Sequence, residues 1–168
     1  MVDSLTRAKR SWNMSRIKSG NTKPEKVVRS LLHAMGYRFR LHRKDLPGKP
    51  DVVLPKYKTV IFIHGCFWHR HDGCKNATMP KTNTEFWENK LSQNIDRDRK
   101  KQLNLERLGW KVIVIWECET EGFPKELATK LQRQISYPDI EGTYEDLLMV
   151  AEKKEGYGEK EDQTKKRG

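Results

Sequence analysis

The chain has little cysteine, no long apolar run and too few acids to balance its bases. Three cysteines in 168 residues, an odd number, argue against a disulfide framework. With no apolar leader core at the N-terminus, they point to a reducing cytoplasm. No stretch approaches the ~18 apolar residues of a membrane-spanning helix, and no basic amphipathic helix dominates, so no membrane partner is expected. There are no internal repeats, and the length suits one domain. An apolar content of 35% and a mean hydropathy of −0.90 leave that domain a real core with little to spare. Asp and Glu number 23 against 34 Lys and Arg, a net charge of +11. That imbalance favours a polyanionic partner, and nucleic acid over an anionic membrane.

What is present is concentrated in residues 60–74, Val-Ile-Phe-Ile-His-Gly-Cys-Phe-Trp-His-Arg-His-Asp-Gly-Cys. The β-branched and aromatic run 60–63 follows a turn-like segment at 54–58 and predicts a strand buried on both faces. Cys66, His71 and Cys74 then recur at intervals that let one loop wrap a tetrahedral ion. Further on, Lys111 to Glu117 reads as a second buried strand. A strand, a long helix and another strand form a crossover with the two strands parallel, so Cys118 should end up near the point where Cys66 leaves its strand. The four residues make a Cys3His set of the structural zinc kind. The plainer alternative is that Cys66 and Cys118 are small buried apolar residues and His71 a solvated loop histidine. His64 and His69, taken singly, are structural residues. Asp51 on the preceding strand makes them candidates for joint metal binding and proton transfer.

Around this stretch the chain reads as an N-terminal arm at 1–21, a folded domain at 22–140 and a charged tail at 141–168 expected to be disordered. In the arm, Met14 and Ile17 are either apolar wedges for DNA or part of a frayed terminus. Thr22 and Glu25 form a capping box for a helix that Gly36 ends, so Glu25 has a sufficient role as a cap. Tyr37, Phe39 and Leu41 alternate with basic residues as in a strand, and 51–54 is a further short strand, giving an antiparallel meander. Thr84 or Asn83 caps a long helix to about Leu108, with Trp87, Leu91, Ile95, Gln102, Leu105 and Leu108 along one face. Asp98 falls on that face, where a carboxylate needs a partner. A short amphipathic helix at 124–135 closes the domain.

This order of elements, with Pro50-Asp51 entering a strand, resembles the restriction-endonuclease-like PD-(D/E)XK fold, an α/β architecture with a mixed central sheet flanked by helices. Ser-x-Asn-Met at 11–14, Leu-Pro-Gly-Lys-Pro-Asp at 46–51, Ile-His-Gly-Cys-Phe-Trp-His at 63–69, Thr-Glu-Phe-Trp at 84–87, Asp-Arg at 98–99 and Leu-Gly-Trp-Lys-Val-Ile-Val-Ile-Trp-Glu-Cys at 108–118 are similar to the very-short-patch repair (Vsr) T:G mismatch endonucleases. The likeness spans residues 8 to about 135. It implies a nick 5' of the thymine in a T:G mismatch left by deamination of 5-methylcytosine, with catalytic Mg2+ and structural Zn2+. By the same resemblance, Asp51 and the Ile63 backbone carbonyl hold magnesium, His69 transfers the proton, and His64 and Glu25 support it. Cys66, His71, Cys74 and Cys118 match zinc ligands, and Asp98 is counted with the catalytic group. Phe67, Trp68 and Trp87 match aromatics that enter the duplex, and Met14 and Ile17 match an arm that invades from the other groove. The implied partners are mismatched duplex DNA and downstream mismatch-repair proteins, with the enzyme itself a monomer. Two departures stand out: Ile63 replaces a threonine, and one residue is inserted before Cys74. The rival readings are a zinc-stabilised DNA-binding module without cleavage and a restriction-type nuclease for paired DNA.

Overall fold

A computed structural model describes residues 6, 8, 9, 12, 20–122 and 124–135. Met14, Ile17 and the 141–168 tail lie outside the described residues.

Helix α1 spans Lys23–Ala34, and its start follows directly from sequence. Thr22 lies in extended backbone at the N-cap. Its hydroxyl accepts from the Glu25 N–H, and the Glu25 carboxylate accepts from the Thr22 N–H, so the capping box is closed. Gly36, at φ +79°, turns the chain out of the helix. Thr22→Ala is expected to lower the unfolding free energy by about 1 kcal/mol, seen as a lower urea midpoint at constant slope. An unmoved midpoint would show that the box contributes nothing.

Strands β1 (Val52–Leu54), β2 (Thr59–His64) and β3 (Lys111–Trp116) form one mixed sheet in the order β1-β2-β3. β2 is antiparallel to β1, with Val52 opposite Ile61, and parallel to β3, with Thr59 opposite Lys111 and His64 opposite Trp116. Helix α2 (Thr84–Arg107) joins the parallel pair. The short α3 (Glu117–Glu121) and α4 (Pro124–Ile135) follow. Side chains alternate across the sheet. On one face Ile61, Ile113 and Ile115 pack against Val28 and Leu32 of α1 and Leu127 and Leu131 of α4. On the other, Val53, Val60 and Phe62 pack with Leu46, Trp110 and Leu105 of α2. The result is a helix–sheet–helix α/β sandwich.

Four expectations change. The strand at 37–41 shrinks to a single antiparallel bridge, Arg40 to Val53, because His42 adopts φ 47° and takes the backbone off the ladder. β3 is buried on one face only: Ile113 and Ile115 are covered while Val112, Val114 and Trp116 are partly open. The reason lies in α2, which buries Leu91 and Leu105 but leaves Ile95 40% exposed, so a hollow lined by Ile95, Asp98, Gln102, Val114 and Trp116 remains. Asn83 stands at the N-cap of α2 in the left-handed region, not the extended backbone of an ordinary N-cap, and makes no side-chain cap bond. Finally, β3 ends at Trp116, and Cys118 lies in the first turn of α3.

Candidate active site

The C-terminal end of β2 delivers His64, and the loop after it delivers His69. His64 is 6% exposed, and the two imidazoles stack with centroids 3.9 Å apart and planes 12° from parallel. Nδ1 of His69 is hydrogen-bonded to Oδ2 of Asp98 on α2. This supplies the partner that a carboxylate on that helix face requires. Against the upward push of partial burial, the hydrogen bond from His69, and then the positive charge nearby, hold the Asp98 carboxyl below its usual range. Burial, and then the neighbouring His69, push His64 down to about 4. At neutral pH His64 is therefore uncharged, so its stacking on the second imidazole brings no like-charge contact.

Asp51 comes into the same cleft from the entrance of β1. Its Oδ2 accepts from the Ile63 N–H at 2.8 Å, so the side chain takes up the ladder donor where β1 stops. Continuing the register sets Pro50 opposite Ile63. The N–H and C=O of one strand residue leave on the same edge, so the Ile63 carbonyl also faces this side, and Pro50 has no N–H to offer it. Burial and the nearby Glu25 raise the Asp51 carboxyl above its usual value. A half-buried carboxylate, an acidic neighbour and a carbonyl oxygen form a hard oxygen set of the kind that suits Mg2+.

Glu25 also lines this cleft, but its described contacts run elsewhere. Its oxygens accept from the Asn21 and Thr22 backbone N–H groups and from the Thr22 hydroxyl, and from Arg29 at 2.5 Å. His42, which sequence reading passed over, stands between Glu25 and Asp51 at 3.8 and 3.9 Å. Arg29 can only donate, so its 3.0 Å contact makes Nε2 of His42 an acceptor and leaves the ring proton on Nδ1, toward Asp51. Lys101 was also missed and lines the cleft. Neither residue belongs to a local motif: His42 needs a left-handed backbone and Lys101 a neighbouring glycine. The cleft encloses about 460 Å³, room for a phosphodiester with solvent.

Beside the histidines, the ligand atoms of Cys66, His71, Cys74 and Cys118 all lie within 4.8 Å of one another. Nδ1 of His71 is 3.6 Å from the Cys66 sulfur and 3.3 Å from the Cys118 sulfur. The loop is folded by its own backbone, His71 N–H to Cys66 O at 2.9 Å and Cys74 N–H to His71 O at 3.3 Å. The longer spacing before Cys74 is absorbed by Gly73 at φ +66°. Burial first, then the neighbouring thiols, push Cys118 up to about 12. The Asn76 N–H draws Cys74 down. Three crowded sulfurs and one imidazole are a soft, tetrahedral donor set that fits zinc. Trp116 links the two clusters, parallel to His71 at 4.2 Å and edge-on to His64 at 5.5 Å.

An aromatic group stands at the mouth. Phe67 meets Trp68 and Trp87 with centroids 5.0 and 5.3 Å away. Phe86, not singled out from sequence, extends the group at 5.4 Å from Trp87 and is 59% exposed. Asn94 on α2 donates to the Trp68 carbonyl at 3.0 Å and ties this loop down.

Comparison with known proteins gives a consistent picture. A family model described as DNA mismatch endonuclease Vsr matches residues 2–76. The type II nicking enzyme V.XorIIP of Xanthomonas oryzae pv. oryzae is 51% identical over 119 residues, 71% of this chain and 87% of that protein. The type II nicking enzyme V.NmeAIP of Neisseria meningitidis is 48% identical over 137 residues, 80% of this chain and 97% of that protein. DNA mismatch endonuclease Vsr of Escherichia coli is 45% identical over 125 residues, 74% of this chain and 80% of that protein. With its histidine pair and carboxylates gathered in one cleft, the chain belongs to the Vsr family of DNA mismatch endonucleases and is a DNA endonuclease.

Proposed function

We propose that the protein nicks duplex DNA on the 5' side of the thymine in a T:G mismatch, with Mg2+ at Asp51 and the Ile63 carbonyl and Zn2+ at Cys66, His71, Cys74 and Cys118. The observation that carries the chemistry is the His69–Asp98 hydrogen bond opening on the cleft that holds Asp51. Asp98 retains the proton on Nδ1, which leaves Nε2 of His69 to take a proton from the attacking water. The water oxygen bonds to phosphorus as the bond to the leaving oxygen breaks, and the departing proton rests on His69. His64, neutral and stacked on that ring, holds its plane. When bound, Mg2+ neutralises the phosphate and supports the leaving oxygen. Glu25 and His42 order the wall beside Asp51.

Mismatch preference follows from mechanics. Inserting a ring costs a few kcal/mol per unstacked base step, and less at a wobble pair than at a matched one. Phe67, Trp68 and Trp87 supply the rings. In this reading the arm at 1–21 brings Met14 and Ile17 to the duplex, and residues 22–140 perform the reaction. Trp68→Ala is expected to weaken binding to T:G duplex by roughly tenfold or more, from about 1–3 kcal/mol per stacked ring, with a smaller change on paired duplex. Equal loss on both, by fluorescence anisotropy, removes Trp68 from mismatch recognition.

The reading itself is tested by incubating the protein and Mg2+ with duplexes that carry one T:G mismatch in varied contexts, beside T:A and C:G controls. Nicking confined to the 5' side of the mismatched thymine supports it. Cleavage of paired controls makes the protein a nuclease for undamaged sites.

A further inference from the structure

Helix α2 carries many cations on its exposed side, Lys90, Arg97, Arg99 and Lys100 among them, and these read as a solvated basic face. Lys101 differs from them. It is half-buried and lines the cleft together with Asp51, His64 and His69. Its stem lies against Gly48: a Cβ at that glycine would stand 2.8 Å from Cδ of Lys101 and 3.1 Å from Cβ and Cγ. Any side chain at position 48 would therefore push the lysine aside. Its Nζ stands 3.6 Å from Oδ1 of Asp98, the oxygen that does not hold His69. At that distance the contact is Coulombic and closes no hydrogen bond, so the ammonium retains donors for another acceptor.

The charge of the cleft calls for such a donor. Glu25, Asp51, Asp98 and Glu117 line it against two cations, Lys49 and Lys101, and Lys49 is exposed. A phosphodiester entering this space is itself anionic, and its non-bridging oxygens stay charged through the reaction. An ion pair three residues apart on a helix forms without any groove for its stem. The stem's packing on Gly48 is a contact that pair does not need, and it keeps the lysine on the cleft wall, where its spare donors face the space that Asp51, His64 and His69 line.

We propose that Lys101 is a catalytic residue that donates to a non-bridging oxygen of the phosphate being cleaved, with Asp98 holding the ammonium when DNA is absent. The assignment rests on the cleft being the site of nicking.

The test uses the full chain and Mg2+ in single-turnover nicking at saturating T:G duplex, with Lys101→Gln and Lys101→Arg beside the unaltered protein. Each is run on an ordinary scissile phosphate and on its Rp and Sp phosphorothioates. Loss of one preorganised donor lowers such rates by about 10²-fold. That loss is expected for Lys101→Gln, with DNA affinity nearly unchanged, much of the rate restored by Lys101→Arg, and an altered Rp/Sp rate ratio in Lys101→Gln. An unaltered rate in Lys101→Gln overturns the proposal. So does a slow variant with the unaltered protein's Rp/Sp ratio, because the lysine then acts only through Asp98. If the unaltered protein nicks no duplex, the functional reading falls and this assignment falls with it.

Discussion

Asp51→Asn is expected to reduce nicking by about 10³-fold or more, the several kcal/mol that a lost metal carboxylate represents, while binding to T:G duplex survives. Asparagine is the sharper substitution than alanine because its carbonyl oxygen can still accept from the Ile63 N–H that Asp51 holds at 2.8 Å. The fold is kept and the charge removed. A second readout is independent of DNA. Burial and Glu25 raise the Asp51 carboxyl, so the folded chain binds this proton more tightly than the unfolded one. With a raised carboxyl, stability falls as pH climbs past the unfolded value near 3.8. Removing the charge should therefore raise the melting temperature at pH 7 in the absence of divalent ions, and the gain should shrink in acid. Full nicking by Asp51→Asn would remove this residue from the metal site. An unchanged melting temperature would show that its carboxylate is not held against the fold.

Cys118→Ser is expected to cost several kcal/mol of stability, since a structural metal contributes folding energy directly. Cys66 leaves β2 and is fully buried, while Cys118 opens α3 just past the end of β3. An ion held by Cys66, His71, Cys74 and Cys118 would clamp the ends of the two parallel strands and the loop that carries His69. Serine in place of one sulfur leaves Cys66, Cys74 and His71 crowded without a complete set. Protein-bound zinc measured on the purified variant, together with urea unfolding, checks this. Stoichiometric zinc is expected in the unaltered protein, and loss of metal with a much lower urea midpoint in the variant. A stable, zinc-free and active Cys118→Ser protein would refute the clamp.

The parts of the fold that were legible in sequence are those fixed by neighbours along the chain. The Thr22–Glu25 box, the apolar stripe of α1 and the run at 60–63 each state their structure within a few residues. The nearness of Cys66 and Cys118 followed from one topological rule. Asp98 was legible through a conflict, a charge on an apolar face, and it found a partner in His69. The 37–41 segment misled because alternation records which side chains are covered, not whether a ladder forms. Tyr37 is buried and edge-on to Tyr57, yet the positive φ at His42 allows only one bridge. The same φ brings His42 to Asp51, and periodicity carries no trace of it. Lys101 was hidden because its setting depends on an atom that Gly48 lacks, some fifty residues away.

The pairing of His64 with Trp116 in the register of β2 and β3 also bears on how the molecule moves. Amide groups in a central parallel ladder exchange with solvent only through openings close to global unfolding. His64 is a member of that ladder, so its backbone should be among the slowest to exchange. Phe67 and Trp68, a few residues on, hang from a turn outside the ladder, held by short-range backbone bonds and by Asn94, and its amides should exchange sooner. On the proposed reading, the histidine beside the reacting centre would then sit in a slower-opening part of the chain than the rings offered to DNA.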